Sequence, residues 1–175
     1  MKKCVFFDRD GIVNESPGEG KYILKWEDFK ILPSFIESLK VVLNKGYDAA
    51  IVTNQRCVAL GLITEDKLQK FHNKLQNLLV KDYGMKLLDI AYCPHEEGMC
   101  TCRKPLPGMI LELARKHDIN LELSWTIGDD ERDIIAGRAA GTKTIFVGIK
   151  KLTKVQADYF IASIVELPDL LEKVL

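Results

Sequence analysis

Carboxylates crowd at two places in this chain, and groups that could hold an anion occupy two more. Residues 8–14 read Asp8-Arg9-Asp10-Gly11-Ile12-Val13-Asn14, with two acids two positions apart and a glycine behind them to turn the chain. Residues 129–133 read Asp129-Asp130-Glu131-Arg132-Asp133, four acids around one arginine. Like charges this close repel unless a cation or a shared proton lies among them, so both clusters point to a metal or to acid/base work. Between them lie Thr53-Asn54-Gln55, whose hydroxyl and following backbone N–H groups could hold a phosphate oxygen, and Cys102-Arg103-Lys104-Pro105, two cations on a chain stiffened by proline. Each piece alone also has an ordinary explanation as a solvated turn, an N-cap, an exposed basic pair or a helix start favoured by the macrodipole.

A second chemistry stands at 93–102. Cys93, His95, Cys100 and Cys102 offer three thiolates and an imidazole, a set suited to tetrahedral Zn2+. Four protein ligands leave no open position, so the zinc is expected to be structural, fixing a loop without a core of its own and placing Arg103 and Lys104 beside it. Of the other cysteines, Cys4 reads as a small core residue and Cys57 as a loop residue. His72 and His117 fall on expected helix surfaces, and no function is read for them.

The elements that must carry these groups follow from periodicity. Short apolar runs at 3–8, 48–53, 88–92, 124–128 and 142–147 alternate with amphipathic stretches at 34–44, 64–83, 108–116, 131–140 and 167–174. That alternation predicts an α/β fold of three layers, Rossmann-like, with a central parallel sheet between helices. The helix at 64–83 opens on Thr64-Glu65-Asp66-Lys67 and closes at Gly84, and the one at 131–140 closes at Gly141. Every chemical cluster then follows a strand, where open parallel sheets place their ligands.

The chain has 175 residues, 47% of them hydrophobic, which predicts a single domain, 1–175, with one zinc loop at 93–102. Lys plus Arg and Asp plus Glu number 25 each, so no overall field favours nucleic acid or a membrane surface. No run approaches the roughly 20 apolar residues that span a bilayer, and clustered rather than paired cysteines suit a reducing compartment; a cytoplasmic protein is expected. Oligomeric state is not legible.

Taken together, an acid pair, a threonine, a lysine and an acid at four strand ends resemble the haloacid dehalogenase (HAD) superfamily of phosphatases over almost the whole chain. The resemblance implies that Asp8 attacks phosphorus to form an aspartyl phosphate, while Asp10 protonates the leaving oxygen and then activates water. It implies that Thr53 and Lys104 grip the phosphoryl oxygens, and that Asp129, Asp8 and the Asp10 carbonyl hold Mg2+, with Asp130 and Asp133 in support. Hard oxygen ligands of this kind suit Mg2+.

The patterns Cys93-Pro94-His95, Cys100-Thr101-Cys102-Arg103-Lys104-Pro105 and Asp8-Arg9-Asp10-Gly11 narrow the resemblance to the zinc-bearing branch that contains heptose bisphosphate and histidinol-phosphate phosphatases. Leu106-Pro107-Gly108-Met109 and Thr53-Asn54-Gln55 favour the heptose side, whereas Asn14-Glu15-Ser16-Pro17 is similar to the histidinol-phosphate enzymes. Where heptose enzymes read Asn-Gln-Ser-Gly-Ile-Ala-Arg-Gly, this chain reads Asn54-Gln55-Arg56-Cys57-Val58-Ala59-Leu60-Gly61, moving a cation from position 60 to 56; Asp130 also stands where they commonly have Lys. The segments after Asn14 and after Thr53 are too short for a cap domain, so an essentially capless enzyme is expected. Its rim would bring Lys21, Asn54, Gln55, Arg56 and Arg103 to a small phosphorylated metabolite, most simply a sugar bisphosphate. The competing reading of another class is a zinc-stabilised binding protein that has lost catalysis.

Overall fold

A computed structural model describes residues 1–175. Six strands form one parallel sheet in the order β3-β2-β1-β4-β5-β6. They are β1 (Cys4–Phe7), β2 (Asp48–Asn54), β3 (Asp89–Cys93), β4 (Trp125–Gly128), β5 (Lys143–Val147) and β6 (Tyr159–Ile161). The helices are α1 (Pro33–Asn44), α2 (Glu65–Tyr83), α3 (Gly108–His117), α4 (Glu131–Ala140) and α5 (Leu167–Val174).

Strand alternation sorts the core into two layers. Val5, Phe7, Ala49, Ile51, Ile127, Ile145 and Val147 face one way and pack with Phe35, Leu39, Phe71, Leu75 and Leu171, so α1, α2 and α5 cover that face. Cys4, Phe6, Ala50 and Val52 face the other way against Met109, Ile110, Leu113, Ala136 and Ala140 of α3 and α4. Both faces of the central strands are therefore dry, which is why β1 and β2 read as unbroken apolar runs.

The chain rules at the helix ends also hold. Thr64 caps α2 by accepting from the Lys67 backbone N–H, and Gly84 ends it in the left-handed region. Asp130 and Asp133 form a capping box on α4. The five expected strands and five expected helices are all present. The sixth strand, β6, was not expected: it has three residues, two of them exposed, and it is defined by pairing with β5. No cap domain interrupts the sheet. The link from β1 to α1 contains a single 3-10 turn, Trp26–Asp28, and the link from β3 to α3 is the cysteine-rich loop.

The strand order reverses direction at β1, whose neighbours are β2 on one side and β4 on the other. In an open parallel sheet the crevice at such a switch, beyond the carboxyl ends of the strands, is the ligand site. Asp8 follows β1 and Asp129 follows β4, so the two acid clusters meet there.

Candidate active site

Residues 8–14 form a tight turn off β1 in which Gly11, Val13 and Asn14 exchange backbone hydrogen bonds with Arg9 and one another. Gly11 has φ of 96°, and a Cβ on it would lie 2.0 Å from Asp129 Oδ2. Glycine is thus demanded twice, by the left-handed backbone and by the approach of an acid from β4. Gly128 is demanded in a similar way, since its Cβ would meet the Asp133 carboxylate at 2.2 Å.

Ligand oxygens of Asp8, Asp129 and Asp133 lie within 4.8 Å of one another. Lys104 reaches in from the far side of the cysteine loop, and its ammonium is 2.6 Å from Asp8 Oδ1 and 2.6 Å from Asp133 Oδ1, with 3% of the side chain exposed. It also donates to the Val52 carbonyl at 2.8 Å. Burial opposes the charge on Lys104, but the Asp133 and Asp8 carboxylates outweigh it and raise its pKa. Burial pushes Asp8 up to about 8, opposed by Lys104 and reinforced by Asp133 and Asp129. Burial and then Asp133 push Asp129 up to about 7. One ammonium does not neutralise three crowded acids, of which Asp133 is buried and Asp8 and Asp129 are partly so.

A divalent cation fits this deficit, and the donor set is the hard oxygen type that Mg2+ takes. Asp133 Oδ1 is held by Lys104 and Oδ2 accepts from the Asp130 backbone N–H at 3.1 Å, which leaves Asp8 and Asp129 to face the ion. The Asp133 carboxylate thus positions Lys104 and caps α4 at once.

Asp10 sits on the cavity wall beside this cluster. Arg9 donates to it from Nε (3.2 Å) and Nη2 (3.1 Å), Asn14 Nδ2 donates at 2.9 Å and Gln55 Nε2 at 3.2 Å. Gln55 also donates to Thr53 Oγ1 at 2.8 Å. That bond uses an acceptor position of Thr53 and leaves its O–H proton to give.

The cavity holds about 530 Å³, and almost every residue around it is polar. Lys21, Asn54, Arg56 and Arg103 line it, together with the buried Thr53 and Lys104. Two of the expected substrate contacts also have partners within the protein. Gln55 is buried and spends its amide on Asp10 and Thr53, so it braces the site from below. Asn54 lines the wall but clamps the Lys104 backbone, donating to its carbonyl at 2.9 Å and accepting from its N–H at 3.0 Å. Arg56 is half engaged by an ion pair with Glu96 at 3.1 Å.

The rim also carries Arg132 and Lys150, which sequence reasoning passed over. Arg132 forks onto Asp130 at 2.8 and 3.1 Å and, with its backbone N–H, holds that acid below the usual carboxylate range although burial pushes the other way. The acid at 130 is therefore neutralised by its own neighbour. His72 needs correction: it is buried, with its ring against Tyr92 and its Nε2 3.3 Å from Arg9 Nη1. Cys57 is buried as well, its thiol toward Gln55.

Beyond β3, Cys93 Sγ lies 3.6 Å from His95 Nδ1 and 3.5 Å from Cys100 Sγ. Cys102 Sγ lies 3.4 Å from His95 Nδ1 and 3.3 Å from Cys100 Sγ. Zn–S and Zn–N bonds of about 2.3 and 2.0 Å set tetrahedral edges of roughly 3.5 Å, so soft ligands and spacing both fit zinc. The Arg103 backbone N–H points to Cys100 Sγ at 3.4 Å. Gly108 opens α3 against this loop, where a Cβ would strike the Thr101 carbonyl at 2.2 Å.

The likenesses to known proteins agree with this geometry. A family model described as HAD-hydrolase-like matches residues 101–167. The chain is 36% identical to the D-glycero-beta-D-manno-heptose-1,7-bisphosphate 7-phosphatase of Pasteurella multocida, covering 98% of each chain. It is 39% identical to the enzyme of the same name from Helicobacter pylori, covering 81% of this chain and 80% of that one. Among solved structures, the D,D-heptose 1,7-bisphosphate phosphatase of B. bronchiseptica, complexed with magnesium and phosphate, superposes with a TM-score of 0.82 at 26% identity over 98% of both chains. With a relative 36% identical over 98% of the chain and a second 39% identical over 81% of it, the chain belongs to the HAD family of phosphatases, on the branch of the heptose-bisphosphate 7-phosphatases.

Proposed function

We propose that this chain is a Mg2+-dependent phosphomonoesterase that removes one phosphate from a small sugar bisphosphate, with a heptose 1,7-bisphosphate as the first substrate to test. The observation that carries the reading is the meeting of Asp8, Asp129 and Lys104 in a polar crevice at the strand switch. The relatives' names supply the sugar.

Asp8 is the nucleophile. Its carboxylate oxygen bonds to phosphorus as the ester P–O bond breaks, and Asp10 gives its proton to the departing oxygen. Water then loses a proton to Asp10 as its oxygen attacks phosphorus, the Asp8–phosphorus bond breaks, and inorganic phosphate leaves. Splitting one displacement into two eases a reaction that is very slow unaided. The positive charge of Lys104 beside Asp8 and the free Thr53 hydroxyl proton would stabilise phosphoryl oxygens, where charge spreads in the transition state. Asp8, Asp129 and the Asp10 carbonyl would hold Mg2+, which when bound would supply the positive charge that lets an anion approach an anion. Cys93, His95, Cys100 and Cys102 would hold Zn2+, which would fix the loop from which Arg103 and Lys104 project.

The rim favours an anionic substrate larger than phosphate. Lys21, Arg103, Arg132 and Lys150 ring a cavity with room for a phosphorylated sugar. Phosphate release from a panel of sugar mono- and bisphosphates and histidinol phosphate, with and without Mg2+, tests the reading. Preferred turnover of a sugar bisphosphate that needs Mg2+ and vanishes in Asp8→Asn supports it. Undiminished turnover by Asp8→Asn, or none by the parent on any phosphomonoester, refutes it.

A further inference from the structure

We propose that Arg9 and His72 are a buried positioning pair that fixes the Asp10 carboxylate for proton transfer, an inference that rests on the phosphomonoesterase reading above and deepens it.

Arg9 has no exposed surface, although it is among the largest side chains in the protein. Its guanidinium lies 5.9 Å from the Phe29 ring centroid and 5.5 Å from that of Phe71. A cation in such a place is costly unless its donors are matched. Nε and Nη2 are matched by Asp10, and Nη1 by His72 Nε2 at 3.3 Å.

The second contact fixes the state of the histidine. Guanidinium only donates, so Nε2 must accept, and the ring proton must sit on Nδ1. Nδ1 is buried with no partner. An imidazole kept there with one nitrogen unmet is a poor way to fill space, since Leu or Phe would leave no orphaned donor. What it provides is an acceptor for Arg9 Nη1, the guanidinium nitrogen that Asp10 leaves unmatched, which helps to keep the fork on Asp10. The groups that face His72 are Arg9 and Asp10 from the turn after β1, Tyr92 from β3, and Phe71 from α2 itself. Tyr92 turns its hydroxyl away to Glu65. Burial and then the Arg9 charge push His72 down to about 3, in line with a neutral ring.

The result is asymmetric at Asp10. Oδ1 takes Arg9 Nε, Arg9 Nη2 and Asn14, three donors in all. Oδ2 takes Arg9 Nη2 and Gln55, whose amide also ties it to Thr53. Oδ2 is the less occupied oxygen, and the same bracket that holds it also holds a residue that would stabilise the phosphoryl oxygens. Acid catalysis needs a hydrogen-bond approach to the leaving oxygen, and a shift of about 1 Å costs on the order of 100-fold.

The test compares leaving groups. An alkyl alkoxide such as a sugar needs the proton, whereas p-nitrophenolate leaves without it. In His72→Leu, kcat/KM for the sugar phosphate is expected to fall at least about tenfold, while p-nitrophenyl phosphate loses less than about threefold. His72→Gln, which restores an acceptor for Arg9, should recover most of the loss. Arg9→Lys keeps the charge but loses the fork, and it carries the same selective expectation should His72→Leu not fold. Equal losses on both substrates in the folded variants, or no loss on either, overturn the inference while the phosphatase reading stands. A parent protein inactive on both substrates overturns both.

Discussion

Magnesium should bind this protein far more tightly at neutral than at mildly acidic pH, because its acidic ligands hold protons when no cation is present. Burial, with Asp133 beside it, raises Asp129 to about 7. A carboxyl with that pKa is about 3% ionised at pH 5.5 and about three quarters ionised at pH 7.5, so Asp129 alone makes the affinity rise about 25-fold across that window, about 2 kcal/mol. A free aspartate would change it by less than about 1.1-fold. Asp8, raised to about 8 chiefly by burial, adds a second proton and steepens the dependence. Stability has the opposite sign. Both groups have folded pKa values above their unfolded 3.8, so the stability that they contribute is complete below about pH 4 and is lost as pH rises through 7 to 8. The metal-free protein should therefore melt lower at pH 8 than at pH 6.5, and Mg2+ should reverse the trend. Calorimetric titration in two buffers of different ionisation enthalpy counts the protons released. Fewer than half a proton per Mg2+ at pH 6.5, with affinity flat between pH 5.5 and 7.5, would show that the acids are ionised before the metal arrives and would refute the crowding argument.

Three further outcomes are expected. Because His72 is pushed below its unfolded value, the folded protein refuses a proton that the unfolded chain accepts, so stability present above pH 6.5 is lost as pH falls; urea unfolding should show about 2 kcal/mol lost from this group by pH 5, a loss absent in His72→Gln. Elemental analysis should give one zinc per chain, and Cys100→Ser or a strong chelator should lower the melting temperature by freeing the loop that carries Lys104. Gly11→Ala places a methyl against Asp129 in a left-handed turn, so it should cost about 1–3 kcal/mol of stability and weaken Mg2+ binding by more than tenfold.

Residues proposed to perform chemistry were legible in the sequence, and those that hold them were mostly not. Asp8, Asp10 and Asp129 follow, and Thr53 lies near the end of, strands whose apolar runs announce burial, Lys104 stands next to the cysteine cluster, and Cys93, His95, Cys100 and Cys102 are close in sequence. Arg9, His72, Asn54 and Gln55 gave no such signal. A polar side chain on a helix, a turn or a strand end reads the same whether it meets water or a partner 50 or 63 positions away, as Asn54 meets Lys104 and Arg9 meets His72. Strand β6 was missed for a related reason, since only its pairing with β5 defines it.

The glycines carry part of the missing information. Gly11, Gly108 and Gly128 each mark a place where a Cβ would collide with a neighbour, namely Asp129, the backbone of the cysteine loop and Asp133. Each lies beside a ligand cluster, because gathering acids or thiols around an ion requires backbones to approach more closely than side chains permit. A glycine next to a charged strand end is thus a mark of close approach, and here it points from the turn after β1 to the acid on β4 that completes the site. That pairing also limits what the fold can tolerate: Asp129 cannot move toward the turn without Gly11 giving way, and Asp133 cannot leave Gly128 without releasing Lys104. Substitutions at these glycines should therefore disturb metal binding before they disturb the sheet, whose core lies on the far side of the strand tips.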